Sequence, residues 1–347
     1  MFKVHVLYEH SSTIKPHGSS YIRVLLPLTY STNTKDFYVT KCTNYVSADI
    51  VIVERTWKPN ITLSLAQELV ETARKDGSCL IYTIDDNLLD IKSQLIFNHS
   101  LTNQQLMVVR YFAREADGII VSTEYLKERF QHLNKKIFVV PNALDEGLFQ
   151  GQTKRNKSDR KRRVIGYMGT HTHDADLMMV IQALRTILRK NSDSLELQLV
   201  GCIADSSVID SFKGLPIKVL DIGNNGDYPN FMRWMSQTLD WDLAIAPLEN
   251  NSFTRCKSDI KFLDYSALGL AGIYSDVASY NNTVRHLETG YLAANNVEAW
   301  IEAFESLLGD DRLRTQIANN AREYVLSNRT LKHCAQNWQQ AIFSIVN

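Results

Sequence analysis

Arg255-Cys256-Lys257-Ser258-Asp259-Ile260-Lys261-Phe262-Leu263-Asp264-Tyr265-Ser266-Ala267-Leu268-Gly269-Leu270-Ala271-Gly272 is the stretch on which the fold turns. Ile260, Leu263 and Leu268 have helical spacing, Ser258 reads as an N-cap, and Gly269 stops the helix. Ala271 to Asp276 then reads as a short buried strand ending in polar residues, which embeds the helix in an α/β layer. Lys257, Lys261 and Asp264 recur at four- and three-residue steps, so they are expected along one stripe near the positive end of the helix dipole. Phosphate oxygens suit such a helix start, and two ammonium groups would neutralise much of a diphosphate. Asp264, about a turn deeper, can accept from two vicinal hydroxyls of a sugar. An ordinary amphipathic helix with solvated charges explains the same residues, and the strand that follows favours the embedded reading.

Outward from this stretch, strand-like and helix-like runs alternate. Expected strands are Val4–Tyr8, Ile50–Glu54, Leu80–Ile84, Gly118–Ser122 and Ile137–Val140, then Val164–Met168, Leu195–Val200, Ile217–Leu220, Asp242–Ala246 and Ile273–Ser275. Expected helices are Ser20–Thr29, Leu63–Lys75, Asn103–Glu115 and Glu124–Gln131, then Leu177–Arg189, Ser206–Phe212, Pro229–Leu239 and Ile260–Leu268, with a purely helical tail after Asn295. Continuous Val/Ile runs point to parallel strands covered on both faces. The 347 residues suit two domains, 1–150 and 164–330, joined by a basic linker at 151–163 that carries seven Lys or Arg against Asp159 alone. Ligands of doubly wound sheets bind beyond the carboxyl ends of the strands, here expected in a cleft between the domains.

Composition excludes several classes. Formal net charge is zero, giving no global electrostatic case for nucleic acid as a partner. The basic linker is a solvated loop or, alternatively, a peripheral contact with anionic lipid. The five cysteines are scattered without a C-x-x-C pair, which fits a reducing, cytoplasmic compartment and no structural zinc. The N-terminus reads as a strand and not as a signal peptide, and no segment reaches the roughly 20 apolar residues of a membrane span.

The candidate site residues follow strands. Gly18, Ser19, Ser20 and Tyr21 form a turn suited to phosphate or sugar, which a helix start capped by Ser19 or Ser20 explains equally. Asp85 and Asp86 offer carboxylates that can bind metal, hydrogen-bond a sugar or serve as a general base, one of the two being expected to cap the next helix. Gly169, Thr170, His171 and His173 follow Val164–Met168, glycine allowing close backbone approach and the neighbours offering hydroxyl and imidazole groups. The two His and Asp174 lack a recognised metal spacing, so a cap beside phosphate is preferred to metal. Asn224 and Tyr228 lie in a Gly/Asn-rich turn suited to a nucleobase edge, and Asn250-Asn251 turns the chain toward Arg255 and Lys257.

With these pieces in order, the chain resembles the retaining GT-B glycosyltransferases typified by the family 4 enzymes of bacterial polysaccharide assembly. The resemblance rests on Asp242-Leu-Ala-Ile-Ala-Pro-Leu, on Lys257 through Gly269, on Ser275-Asp276 and on Glu288-Thr-Gly-Tyr-Leu292. It implies an α/β fold of two Rossmann-like, doubly wound parallel-sheet domains facing across a cleft, with a closing helix at 331–347 returning to the first. It implies that Lys257 and Lys261 serve the donor diphosphate and Asp264 the ribose, with Arg255 and Ser258 beside them as further donor-binding candidates. Two glutamates separated by seven residues are frequent in the family; here the positions hold Cys256 and Asp264. The basic residues expected soon after the donor domain's first strand are also absent. The function implied is transfer of a hexose-type sugar from a nucleoside diphosphate sugar to a hydroxyl of a glycan or lipid-linked acceptor, with retention, no cofactor and no essential metal. The alternatives are a sugar-nucleotide epimerase of the same fold and a catalytically inactive module that binds a partner glycosyltransferase.

Overall fold

The computed structural model describes residues 1–10, 13–90, 101–149, 161–170, 173–201 and 209–347. The chain divides into two compact units. The first comprises Met1–Asp145, Arg255–Ser258 and Arg329–Asn347, and the second Glu146–Thr254 and Asp259–Asn328.

In the first unit the elements run β1 (Phe2–Leu7), α1 (18–29), β2 (Phe37–Cys42), β3 (Ile50–Glu54), α2 (Leu63–Lys75), β4 (Cys79–Ile84), α3 (Asn103–Glu115), β5 (Gly118–Val121), α4 (Glu124–Phe130) and β6 (Ile137–Val139). All six strands are parallel in the order β2-β1-β3-β4-β5-β6, so the order reverses between β1 and β3. Every residue of β3 is buried, as a central strand covered on both faces requires. Strand β2 escapes the sequence reading because it is an edge strand, with Tyr38 exposed and no continuous apolar run. Helices α2, α3 and α4 start on Thr62, Thr102 and Thr123, whose hydroxyls each accept from a backbone N–H three residues on, a contact worth about 1 kcal/mol. Helix α1 is irregular: Gly18–Ser20 leads into a wide π-type turn at Tyr21–Leu25 that buries Arg23, Val24 and Leu25.

The second unit runs β7 (Arg163–Met168), α5 (Asp174–Met179), α6 (Ile181–Lys190), β8 (Leu195–Val200), β9 (Ile217–Leu220), α7 (Tyr228–Thr238), β10 (Leu243–Ala246), α8 (Ile260–Ala267), β11 (Ala271–Ser275), α9 (Ala278–Asn281), β12 (Tyr291–Ala293), α10 (Val297–Gly309) and α11 (Asp311–Asn328). Its parallel order, β12-β11-β10-β7-β8-β9, reverses between β7 and β10. The helix expected over Leu177–Arg189 is two helices, because Val180 leaves helical geometry (φ −102°, ψ 5°). Strand β12, three residues long, was too short for periodicity to reveal. The final helix, α12 (Leu331–Val346), belongs to the first unit and lays Trp338 under the Arg23 guanidinium, 5.2 Å from the ring centroid.

Helix α8 ends as its glycine dictates. Gly269 takes φ +71°, Gly269 N donates to Ser266 O (2.9 Å) and Leu270 N to Tyr265 O (2.9 Å), the paired bonds of a glycine-stopped helix. The linker expected at 151–163 lies outside the described residues up to residue 160, as do His171 and residues 206–208 of an expected helix. The four described cysteines are free, and among the described residues no helix is long and apolar enough to cross a membrane.

Candidate active site

The second unit gathers its charged groups beyond the carboxyl end of β7, where the strand order reverses and a ligand crevice is expected. Gly169 follows the strand. A Cβ there would stand 3.1–3.3 Å from the Tyr167 ring and hydroxyl, so the glycine leaves room for that ring. The Tyr167 face in turn carries the Lys261 ammonium, 5.1 Å from its centroid. Lys261 is 8% exposed, in the first turn of α8, and its charge acts on Asp176 and Asp264.

Both carboxylates have donors of their own. Asp176 accepts from His173 Nδ1 (2.7 Å) and from Glu249 N (2.8 Å). Burial by itself raises the Asp176 carboxyl, yet His173, Lys261 and the Glu249 amide together hold it below the ordinary range. Asp264 is 3% exposed, and its Oδ1 accepts from the Tyr228 hydroxyl at 2.7 Å. Burial pushes the Asp264 carboxyl up to about 7, against the opposing pull of Tyr228 and Lys261. The structure thus brings together Lys261, Asp264 and Tyr228. Asn224 lies in an exposed turn, and Thr170 follows Gly169.

Two expectations about the opening stretch are corrected. The N-cap position of α8 is Asp259, not Ser258, whose hydroxyl accepts from Asn142 Nδ2 (2.8 Å) in the first unit. Lys257 precedes the helix and so has no helical spacing to Lys261 and Asp264. Its ammonium pairs with Asp86 Oδ1 at 3.1 Å. Arg255 lies on the Tyr125 ring, 4.5 Å from guanidinium to centroid, and Cys256 is buried in the first unit's core while its carbonyl accepts from Thr123 Oγ1 (3.0 Å). Residues 255–258 are therefore fastened to the first unit at four consecutive positions.

In the first unit a second group of charges collects at the carboxyl ends of β1, β3 and β4. The Arg55 guanidinium lies 3.2 Å from Glu9 and 3.6 Å from each of Asp85 and Asp86. Thr56 Oγ1 donates to Glu9 Oε1 (2.6 Å). Glu54, 1% exposed, accepts from Glu9 N at 2.9 Å. Burial, with the Glu9 and Asp85 charges adding to it, pushes the Glu54 carboxyl up to about 8, and Asp85 is raised by burial against the pull of Arg55. Buried Arg23 donates to Val140 O (2.6 Å) and Asn142 Oδ1 (2.8 Å).

Asp86 stands just before a short 3-10 turn at Leu88–Asp90, its carbonyl accepting from Leu88 N (2.9 Å), while α3, farther along the chain, is capped by Thr102. Ser19 and Ser20 do not cap α1: His17 stands at its N-cap position, and Ser20 is buried with its hydroxyl donating to Glu9 O (3.1 Å). Gly18 is exposed and Tyr21 packs, half-buried, on the core. Sequence reasoning missed Glu9, Glu54, Arg55 and Asp176. A Glu-Arg pair closing an otherwise apolar central strand was the available signal. Among the described residues no group of three His, Cys, Asp or Glu side chains is placed to hold a metal ion.

A sequence profile described as glycosyl transferases group 1 matches residues 150–324. No curated protein sequence matches the chain. Among solved structures, HepE from Anabaena in complex with UDP superposes with a TM-score of 0.69 at 13% identity, over 99% of this chain and 100% of that one. A glycosyltransferase from Rickettsia africae gives a TM-score of 0.64 at 13% identity, over 99% and 98%. A variant of S. aureus TarM, in complex with fondaparinux, alpha-GlcNAc-glycerol and UDP, gives 0.61 at 12% identity; it covers 84% of this chain, which spans only 55% of TarM. These likenesses show the GT-B fold.

Proposed function

Because the chain belongs to the glycosyl transferases group 1 family, we propose that it transfers a hexose-type sugar from a nucleoside diphosphate donor to a hydroxyl of a glycan or lipid-linked acceptor, with retention and without an essential metal. The observation that carries this reading is Lys261, a buried ammonium in the first turn of α8 beside the reversal point of the second sheet, inside the region that the family profile matches. Departure of the nucleotide builds negative charge on the diphosphate, and a preorganised ammonium with a helix start stabilises that charge as it develops. Asp264, held by Tyr228, takes the ribose hydroxyls. Lys257 is engaged by Asp86, so Lys261 does most of the charge work, and the first unit binds the acceptor through Asp85, Asp86 and the turn at Gly18.

Thermal unfolding against UDP, GDP, dTDP and CMP, with and without chelator, tests this. One nucleoside diphosphate at about 100 times its dissociation constant is expected to add roughly 2.7 kcal/mol, insensitive to chelator. Lys261→Ala is expected to weaken that nucleotide by the roughly 1.5–3 kcal/mol of a charged hydrogen bond without unfolding the protein. Unchanged affinity in the variant places the phosphates elsewhere. No shift with any nucleotide, joined to no turnover of sugar nucleotides, favours the inactive module; turnover without an acceptor favours the epimerase.

A further inference from the structure

The chain passes between its two units four times, after Asp145, Thr254, Ser258 and Asn328. On the first unit's side three of these passages meet at one residue, Asn142, which is 5% exposed. Its Nδ2 donates to Ser258 Oγ (2.8 Å), at the end of the segment 255–258. Its carbonyl accepts from Arg329 Nη2 (3.1 Å), where the chain returns for the last time. Two residues on, Leu144 N donates to Arg329 O and Leu331 N to Leu144 O, both at 2.8 Å, so the outgoing and returning chains pair beside Asn142. Arg255, at the remaining passage, lies on the Tyr125 ring.

The Asn142 side chain is fixed from behind. Arg23 Nη1 donates to Asn142 Oδ1 (2.8 Å) and to Val140 O (2.6 Å). A guanidinium donates and cannot accept, so the amide turns its oxygen to Arg23 and its nitrogen to Ser258. Arg23 lies in the wide π-type turn of α1, 5.2 Å over the Trp338 ring of α12. Such turns are rare and recur at functional sites. Arg23, Asn142 and Ser258 thus form one line of hydrogen bonds, from the core of the first unit to the residue before Asp259, the N-cap position of α8.

We infer that Asn142 is a positioning residue for transfer. It pins the points at which the chain leaves and re-enters the first unit, and so fixes the base from which α8 carries Lys261. Movement of either unit then turns on the backbone next to this pin. The part in transfer rests on the transferase reading above; the pin rests on the hydrogen bonds alone.

The test uses the full chain, first without ligand. Asn142→Ala is expected to raise the radius of gyration in small-angle scattering above that of wild type. Amide exchange in peptides covering 255–259 and 328–331 is expected to become at least tenfold faster. Affinity for whichever of UDP, GDP and dTDP binds is expected to stay within twofold, and kcat for UDP-glucose to fall at least tenfold at unchanged KM. Asn142→Asp is expected to restore all of these, because a carboxylate accepts both from Arg23 and from the Ser258 hydroxyl. Wild-type scattering and exchange in Asn142→Ala overturn the pin, and so does an Asn142→Asp variant that behaves like Asn142→Ala. A tenfold loss of nucleotide affinity in Asn142→Ala also overturns it, by placing the residue at the donor. Should Asn142→Ala fail to fold, Ser258→Ala removes one bond of the line, and exchange at 255–259 within twofold of wild type overturns the proposal. Wild-type protein that binds no nucleotide and leaves UDP-glucose intact sinks the transferase reading, while scattering and exchange still decide the pin.

Discussion

At the carboxyl end of β7 one buried ammonium, Lys261, acts on two carboxylates that each have a donor of their own, Asp176 from His173 and Asp264 from Tyr228. At the carboxyl ends of β1, β3 and β4 four carboxylates meet Arg55 and Arg23, and buried atoms on both sides make no hydrogen bond among the described residues. In the first arrangement each carboxylate accepts from a donor of its own and also feels the Lys261 charge. The second sets four carboxylates against two guanidiniums and the Lys257 ammonium, and leaves hydrogen bonds unmade among the described residues. Burial makes the two answer differently to a missing partner: in one a hydrogen bond is lost, in the other a charge is stranded.

The sharpest way to break the comparison is Arg55→Met. It leaves Glu9 and Asp85 without the cation they share, Asp86 keeping Lys257, and removal of one partner of a buried pair costs about 3–5 kcal/mol, an upper bound here because these side chains are 12–19% exposed. Urea unfolding is expected to show that loss; a change under 1 kcal/mol would mean that solvent screens the cluster. Asp176→Asn, the counterpart in the second unit, is expected to cost about 1–3 kcal/mol, since the amide still accepts one bond but no longer answers His173 and Lys261 by charge. Equal losses in the two variants would erase the distinction between the units.

Smaller in size is a difference in pH dependence. Glu54 sits at about 8 in the fold against an ordinary glutamate near 4.5, so its contribution is full below pH 4.5 and is lost as pH rises through about 8. Asp264, at about 7, acts in the same direction over a lower window. Glu9, Asp85, Arg55 and Arg23 surround Glu54 and set the level from which this slope starts. Melting temperatures between pH 5 and 8.5 are expected to fall less steeply for Glu54→Gln than for wild type, and parallel curves would show that Glu54 does not titrate there. The smallest effect is that of Tyr228→Phe, about 1 kcal/mol for one hydrogen bond. It is expected to raise the Asp264 carboxyl further and to weaken nucleotide binding more at pH 6 than at pH 8.

The elements that periodicity reaches were legible. Ile50–Glu54, Leu63–Lys75, Asn103–Glu115, Leu195–Val200 and Ile217–Leu220 have the bounds read from the sequence, because long apolar periods and Thr or Asp caps act locally. The edge strand β2 and the three-residue β12 were not legible, since pairing with a neighbour and not composition makes them strands. Within the site, Lys261, Asp264 and Tyr228 were found because strand ends and a helix start mark them in the chain. Glu54 and Arg55 were passed over because their significance depends on Glu9 and Asp85, which stand 45 and 30 residues away from them respectively along the sequence.

The sequence by itself determined two parallel α/β sheets, the family, and a glycine-stopped helix before a buried strand. These follow from local rules: spacing sets burial, caps set helix ends, and φ sets the place of glycine. Only the tertiary structure decided that Lys257 answers Asp86 and not Lys261's stripe, and that Arg55 holds three carboxylates. Charge pairing depends on distance in space and on burial, and neither is a function of separation along the chain.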